Sequence, residues 1–216
     1  ERDSITRAYF FNRSLSFIDS IMHLRPSSGV IPYYIDFNKN TLGRETVSDL
    51  YYRLPETLRN SMGGKVVLTY LQRSFLLHKG TTVENFTMPA ADGSLFHLSS
   101  LKEKYILLDF WASWCGPCRA AHPSLIKNYE AFKDKGFTIV SISLDESRTD
   151  WLAAIKKDGL AWINISDLKG RNNSLAKRYR INPLPFNVLL DEHRRVVATN
   201  LYDQSLNQFL KEALKD

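Results

Sequence analysis

The chain has 216 residues, of which 44% are hydrophobic and 24% are charged, and its formal net charge is +6. This composition is typical of a soluble globular protein and predicts neither a disordered chain nor a membrane protein. No run of about 18 apolar residues is present that could span a bilayer. Lysines and arginines are spread along the chain, which predicts solvated faces and no nucleic-acid partner.

The first 77 residues are predicted to form a helical extension, because apolar residues recur there every three or four positions. The chain begins with Glu1 and has no charged, apolar leader, so we expect this extension to be the C-terminal remainder of a longer N-terminal region. We expect it to pack on the second domain or on a partner, with a peptide-binding groove as the alternative. A break is predicted at Gly63-Gly64. The predicted helices cover residues 5–22, 30–37, 46–54 and 65–77.

Residues 78–216 are predicted to form an α/β domain. Its lead-in is a β-hairpin, since the turn sequence Ala-Asp-Gly-Ser at 91–94 separates two short β segments. Strands that alternate with helices predict a central mixed sheet flanked by helices. The predicted strands cover residues 105–111, 137–144, 162–165, 187–190 and 195–200, and the predicted helices cover 118–135, 148–157, 173–180 and 203–214.

The segment Trp114-Cys115-Gly116-Pro117-Cys118 follows the first of these strands and contains the only two cysteines of the chain. Unpaired N–H groups and the macrodipole at a helix N-terminus favour an anion, so we expect Cys115 to form a thiolate readily. Cys118 lies one turn further on and can attack a mixed disulfide formed at Cys115. Gly116-Pro117 keeps Cys115 at the exposed cap of the helix. The motif therefore predicts thiol–disulfide exchange.

The alternatives for the cysteine pair are a structural zinc site and a purely structural disulfide. A structural zinc site needs about four ligands, and two cysteines with His122 as the only nearby histidine do not supply them. A purely structural disulfide between Cys115 and Cys118 would close a very short loop and gain little stability. We therefore expect no metal, and no cofactor beyond the redox-active Cys115–Cys118 pair.

On these motifs the chain resembles the thioredoxin superfamily, and within it the TlpA/ResA-like thiol–disulfide oxidoreductases, often described as AhpC/TSA or redoxin-type domains. The likeness covers about residues 78–216 and is carried by FWASWCGPC at 110–118, by Pro123 and by Leu184-Pro185. It implies a thioredoxin-like fold and a periplasmic or cell-envelope location. Residues 1–77 resemble the helical segment that precedes this domain in longer members of the group.

The resemblance also implies catalytic roles. Asp109 lies six positions before Cys115, where thioredoxins keep a buried acid that helps to move the proton of the second cysteine. Burial raises the pKa of such a carboxyl and makes it a usable base. The alternative for Asp109 is a structural hydrogen bond. Pro185 matches the cis-proline that faces the two cysteines in this fold, with Pro183 as the rival candidate.

A substrate-binding surface is implied around the cysteines. It comprises Trp114, Gly116, Pro117, Leu184 and Pro185. Trp114 is expected to act as a lid that limits solvent access, and the apolar Leu184 is expected to favour apolar substrates.

The chain departs from the ResA-like pattern at one position. These proteins carry a glutamate three residues after the second cysteine, and this chain has Ala121 there. A specialised role in cytochrome maturation is therefore in doubt, and Asp109 is left as the nearest base. His122 is expected to be a surface or packing residue, because it lies about 10 Å along the helix from Cys115.

The predicted function is a thiol–disulfide oxidoreductase that reduces protein disulfides. Its expected partners are protein disulfide or dithiol substrates and an unidentified thiol electron donor, membrane-bound or not. A redoxin-type peroxidase is the enzymatic alternative, although the threonine that peroxidatic sites carry before their cysteine is missing from FWASWCGPC. The second alternative is a binding module with a passive thioredoxin-like half, which would leave the two cysteines without a use.

Overall fold

The computed structural model describes the backbone of residues 2–215 and the side chains of residues 9–72 and 76–215. Two compact units are present, and the division falls between residues 75 and 76. Within the described part of the chain, none of the helices combines the length and the apolar character needed to cross a membrane.

The first unit is built from helices. They are α1 (Arg2–Leu24), α2 (Val30–Arg53), α3 (Glu56–Arg59) and α4 (Met62–Leu76). Their apolar faces meet in one core, which explains the three- and four-residue spacing of the sequence. The most deeply buried members of this core are Ile18, Ile31, Ile35, Val47, Leu50 and Val67.

Helix α2 differs from the sequence prediction. The two helices predicted at 30–37 and 46–54 are joined, with a local interruption at Gly43, which has φ 75° and ψ 163°. Glycine adopts this positive φ without the steric cost that a Cβ would bring. The polar residues between the two apolar stripes concealed the connection, because hydrophobic periodicity reports only helix faces that are buried.

The predicted break at Gly63-Gly64 is wrong, since both residues lie inside the first turn of α4. A Cβ on Gly64 would come within 2.2 Å of the carbonyl oxygen of Leu58 and within 2.4 Å of that of Arg59. Glycine at this position therefore allows close approach of α4 to the preceding turn.

The second unit contains a hairpin and a five-stranded sheet. The strands are β1 (Thr87–Pro89), β2 (Leu95–His97), β3 (Tyr105–Trp111), β4 (Phe137–Ser143), β5 (Ile163–Ile165), β6 (Phe186–Asp191) and β7 (Val196–Thr199). The helices are α5 (Gly116–Phe132), α6 (Arg148–Asp158), α7 (Ser174–Arg178) and α8 (Asp203–Ala213).

The five strands lie in the order β5-β4-β3-β6-β7. β3, β4 and β5 are parallel to one another, whereas β6 and β7 pair in the antiparallel sense. This confirms the predicted central mixed sheet flanked by helices. β1 and β2 form the predicted hairpin. Because β3 is central and leads directly into α5, the cysteines lie at the carboxyl end of a buried strand.

Candidate active site

Cys115 and Cys118 form a disulfide at the start of α5, with their Cα atoms 5.3 Å apart. Cys115 is the N-cap residue of this helix, and Pro117 lies in the first turn. The backbone N–H of Cys118 donates to Sγ of Cys115 at 3.3 Å. Negative charge on that sulfur would therefore be stabilised by an amide of the first turn as well as by the helix dipole. Over the described residues, no group of three or more His, Cys, Asp or Glu side chains is placed to hold a metal ion.

A groove of about 370 Å³ opens beside Cys115. Its lining consists of Trp114, Cys115, Gly116, Pro117, Leu144, Arg171, Ile181, Asn182, Pro183 and Leu184. Cys115 is only 6% exposed and Cys118 only 3%, but Cys115 alone of the two contributes to this lining. The first sulfur that a substrate in the groove meets is therefore that of Cys115.

The groove brings together most of the predicted substrate-binding residues. Trp114, Gly116, Pro117 and Leu184 line it, and Trp114 is 58% exposed at its edge. The peptide bonds before Pro183 and Pro185 are both cis. Of these two described prolines, Pro183 contributes to the lining and Pro185 does not. Pro183, the rival candidate, therefore also follows a cis peptide bond, the geometry that the sequence predicts for Pro185.

Asp109 lies in the middle of β3, opposite Ser141 on β4 and Asn187 on β6, and is 3% exposed. Burial raises the pKa of its carboxyl to about 7, against a weaker opposing effect of a hydrogen bond from Ser141. Ser141 Oγ donates to Asp109 Oδ2 at 3.4 Å and accepts from Trp162 Nε1 at 2.8 Å. A carboxyl in this environment exchanges a proton near neutral pH.

A second buried acid, Asp145, holds the loop that precedes the cysteines. Its carboxylate accepts from the backbone N–H of Ser113 at 2.9 Å and from the Ser113 hydroxyl at 2.6 Å. The hydroxyl of Ser143 donates to it at 2.6 Å. Charge-assisted hydrogen bonds of this length are among the stronger ones in proteins. Because Ser113 is two residues before Cys115, Asp145 fixes the entry to the active-site turn.

Sequence reasoning missed Asp145, although a signal was present. Asp145 lies two residues beyond the end of β4, and the carboxyl ends of the parallel strands β3 and β4 lie at the same edge of the sheet. A polar residue that closely follows either strand is therefore placed beside the turn that carries Cys115.

We expect the Asp145→Asn variant to lose about 2–3 kcal/mol of unfolding free energy, because an amide cannot accept from all three donors that the carboxylate satisfies. Urea unfolding of the oxidised protein measures this loss, with Asp150→Asn as the control, since Asp150 is an exposed acid in α6. Equal stability of the two variants would show that the network contributes nothing to the fold.

Asp158, at the end of α6, joins two residues of α5. Arg119 Nε donates to its carboxylate at 2.8 Å, and His122 Nδ1 lies 2.8 Å from Asp158 Oδ2. Hydrogen bonding from Arg119 lowers the pKa of Asp158. Burial lowers the pKa of His122 in spite of Asp158, so the imidazole is neutral and donates from Nδ1.

His122 is therefore a packing residue and not a surface residue. It is 1% exposed, and its ring meets the ring of Trp111 edge to face at a centroid distance of 4.8 Å. The sequence allowed either a packing or a surface position for His122. The contact with Asp158, 36 positions away along the chain, holds it in the packed interior.

A comparison with protein-family models matches residues 78–213 to the Redoxin family. Among curated proteins, the chain is 29% identical over 121 residues to the thiol-disulfide oxidoreductase ResA of Bacillus subtilis, which covers 56% of this chain and 66% of that protein. It is 27% identical over 158 residues to ResA of Bacillus cereus, which covers 73% of this chain and 89% of that protein. The chain therefore spans just under two thirds of the length of the Bacillus subtilis protein.

Solved structures give the same picture. The thioredoxin domain of a thiol-disulfide oxidoreductase from Bacteroides vulgatus superposes with a TM-score of 0.60 at 33% identity, covering 64% of this chain and 99% of that one. A thiol-disulfide oxidoreductase from Bacteroides fragilis superposes with a TM-score of 0.58 at 36% identity, covering 62% and 100%. Identities above 30% over nearly whole domains support shared chemistry as well as a shared fold.

Proposed function

Because this chain belongs to the Redoxin family and is a thioredoxin-like thiol–disulfide oxidoreductase, we propose that it reduces the disulfide bonds of proteins through the dithiol of Cys115 and Cys118. The observation that carries the proposal is the position of Cys115. Its sulfur caps α5, accepts the Cys118 N–H and borders an open groove.

The first step of the reaction takes place at Cys115. In the reduced protein its thiolate attacks one sulfur of the substrate disulfide, forms a mixed disulfide and displaces the other substrate sulfur as a thiolate. The apolar lining of the groove, which includes Leu144, Ile181 and Leu184, accommodates the chain around the substrate cysteine. The displaced thiolate takes a proton from solvent.

The second step takes place at Cys118. Its thiol gives up a proton and attacks Sγ of Cys115, which forms the Cys115–Cys118 disulfide and displaces the second substrate sulfur as a thiolate, which takes a proton from solvent. Two electrons have then passed from the protein to the substrate. We assign the role of proton acceptor to Asp109, because burial holds the pKa of its carboxyl at about 7. A carboxyl with an ordinary pKa would be too weak a base for a thiol.

The direction of electron flow is inferred from the residues between the cysteines. Thioredoxin, whose Gly-Pro pair this chain shares, has a reduction potential of about −270 mV. A strongly oxidising member of the same superfamily has a reduction potential of about −120 mV. We expect a value close to the former from equilibration with a glutathione or dithiothreitol redox buffer. A potential above about −150 mV would contradict the reductant role.

The proposal is tested by reduction of insulin with dithiothreitol as the electron source. Turnover above the rate of dithiothreitol alone is expected for the wild-type protein. Peroxide consumption without an added thiol partner is the matched assay for the peroxidase alternative, and activity there without insulin reduction would replace the proposed function.

Three further features of the proposal rest on the resemblance. The electron donor is a thiol protein, membrane-bound or not, and the chain works in the periplasm or cell envelope. Residues 1–77 are a helical extension, and residues 78–216 are the catalytic domain. Cell fractionation with an antibody against the catalytic domain tests the location.

A further inference from the structure

The groove beside Cys115 contains one positive charge in an otherwise uncharged lining. Among the described residues that border it, Arg171 is the one that carries a full charge. The others are apolar, or polar and neutral, and they include Leu144, Pro183 and Leu184. A substrate in the groove therefore meets a lining of mixed polarity in which Arg171 supplies the positive charge.

The backbone of Arg171 is held firmly in place. It lies in the 3-10 turn Gly170–Asn172, in which Asn173 N–H donates to Gly170 O at 3.0 Å. The backbone N–H of Gly170 points to Asp145 O at 3.4 Å. Since the carboxylate of Asp145 also holds Ser113, one residue connects the turn of Arg171 to the loop that carries Cys115.

The guanidinium of Arg171 has no charged partner within the described part of the chain. It is exposed, and none of the ion pairs or side-chain hydrogen bonds found among the described residues involves it. The side chain of Glu146 lies against Gly170, and no ion pair joins it to Arg171 among the described residues. By contrast, Arg119, the other cation near the cysteines, is neutralised by Asp158.

We propose that Arg171 is a specificity-determining residue that selects protein disulfides with an aspartate or glutamate next to the cysteine under attack. The inference rests on the proposed function and names its substrate class. A guanidinium binds a carboxylate through paired N–H donors.

The test compares two disulfide-linked peptides that differ at one position beside the cysteine, glutamate in one and glutamine in the other. For the wild-type protein at low ionic strength, we expect kcat/KM to be about fivefold higher for the glutamate peptide, the upper end for a solvent-accessible ion pair. The preference should shrink as salt is added, because the charges are then screened.

Arg171→Gln should remove the preference, because it should lower kcat/KM for the glutamate peptide more than for the glutamine peptide. Arg171→Lys should retain part of it. Lys177→Gln is the matched control, since it removes one exposed positive charge from α7, outside the groove. This control should keep the wild-type preference.

Several results would overturn the inference. Equal rates for the two peptides with the wild-type protein would do so, and the proposed function would stand. Equal slowing of both peptides in Arg171→Gln would mean that Arg171 activates the thiolate and does not select substrate. Faster reduction of glutathione disulfide than of the glutamate peptide would mean that the substrates are small disulfides and not protein disulfides. Reduction of neither peptide would remove the proposed function, and the inference with it.

Discussion

The Cys115→Ser variant is expected to reduce no protein disulfide above the rate of the electron source alone. The hydroxyl of serine does not ionise near neutral pH and cannot form the mixed disulfide that the first step requires. We expect a loss of about 10³-fold or more in kcat/KM, limited by the background of the insulin assay. The fold should survive, because the change from sulfur to oxygen is small and Cys118 loses only a partner that spans one helical turn.

The matched control is Cys118→Ser. This variant keeps the nucleophile at the rim of the groove but lacks the sulfur that completes the exchange. It should therefore fail in turnover and accumulate a covalent adduct with the substrate on Cys115, visible on a non-reducing gel. Adduct formation by Cys115→Ser at the same rate would mean that Cys118 is the accessible thiol, against the lining of the groove.

Asp109→Asn is expected to change the pH dependence of stability. The folded-state pKa of Asp109 is about 7, above its ordinary value of 3.8. Between these two pH values the folded protein binds the proton more tightly than the unfolded chain, so the free energy of unfolding falls as pH rises. The fall is about 1.4 kcal/mol per pH unit over this interval, up to about 4 kcal/mol in total. It is complete once pH exceeds the folded-state pKa.

Urea unfolding of the oxidised wild-type and Asp109→Asn proteins at about pH 4.5 and pH 7.5 measures this effect. Both proteins contain His122, whose lowered pKa has the opposite influence, so the difference between them isolates Asp109. Asp150→Asn, which removes an exposed acid, should follow the wild-type curve. Parallel curves for wild type and Asp109→Asn would mean that this carboxyl is ionised throughout and is not a base for Cys118.

Asp109→Asn should also slow the second step of exchange. The contribution of a positioned general base is typically 10²–10⁴-fold. Release of the mixed disulfide by Cys118 should therefore slow by at least about 10²-fold at neutral pH, while formation of the mixed disulfide at Cys115 should be unchanged. Stopped-flow measurement of both phases separates the steps, and equal slowing of both would point to a general disturbance of the site.

Much of the catalytic unit could be predicted from the sequence, because its signals are local. The run at 105–111 is apolar except for Asp109, as is typical of a strand buried on both faces. Cys115 at the cap and Pro117 in the first turn define where α5 begins. The hairpin is marked by its turn residues, of which Gly93 has a φ of 90°.

The parts of the site that the sequence did not reveal depend on contacts between distant positions. Asp145 reaches Ser113 across 32 residues, and Asp158 reaches Arg119 across 39. Asp158 has no local pattern that distinguishes it from an acid on a solvated helix end. The position of Asp145 after β4 indicates an edge of the sheet but not the partner of its carboxylate. Only the register of β3 against β4, and the packing of α5 against α6, determine which partner each one meets. Arg171 also has no local sequence pattern that indicates its role. The 3-10 turn Gly170–Asn172 places it beside the groove.

The most direct test of the central claim is the pH dependence of alkylation in the two single-cysteine variants. Cys118→Ser leaves Cys115 at the helix N-terminus, and Cys115→Ser leaves Cys118 inside the first turn. We expect iodoacetamide to modify Cys115 with a midpoint at least about one pH unit below that of Cys118, as for thiols stabilised by a helix N-terminus. The same midpoint for both thiols, or a lower one for Cys118, would contradict the assignment of Cys115 as the nucleophile.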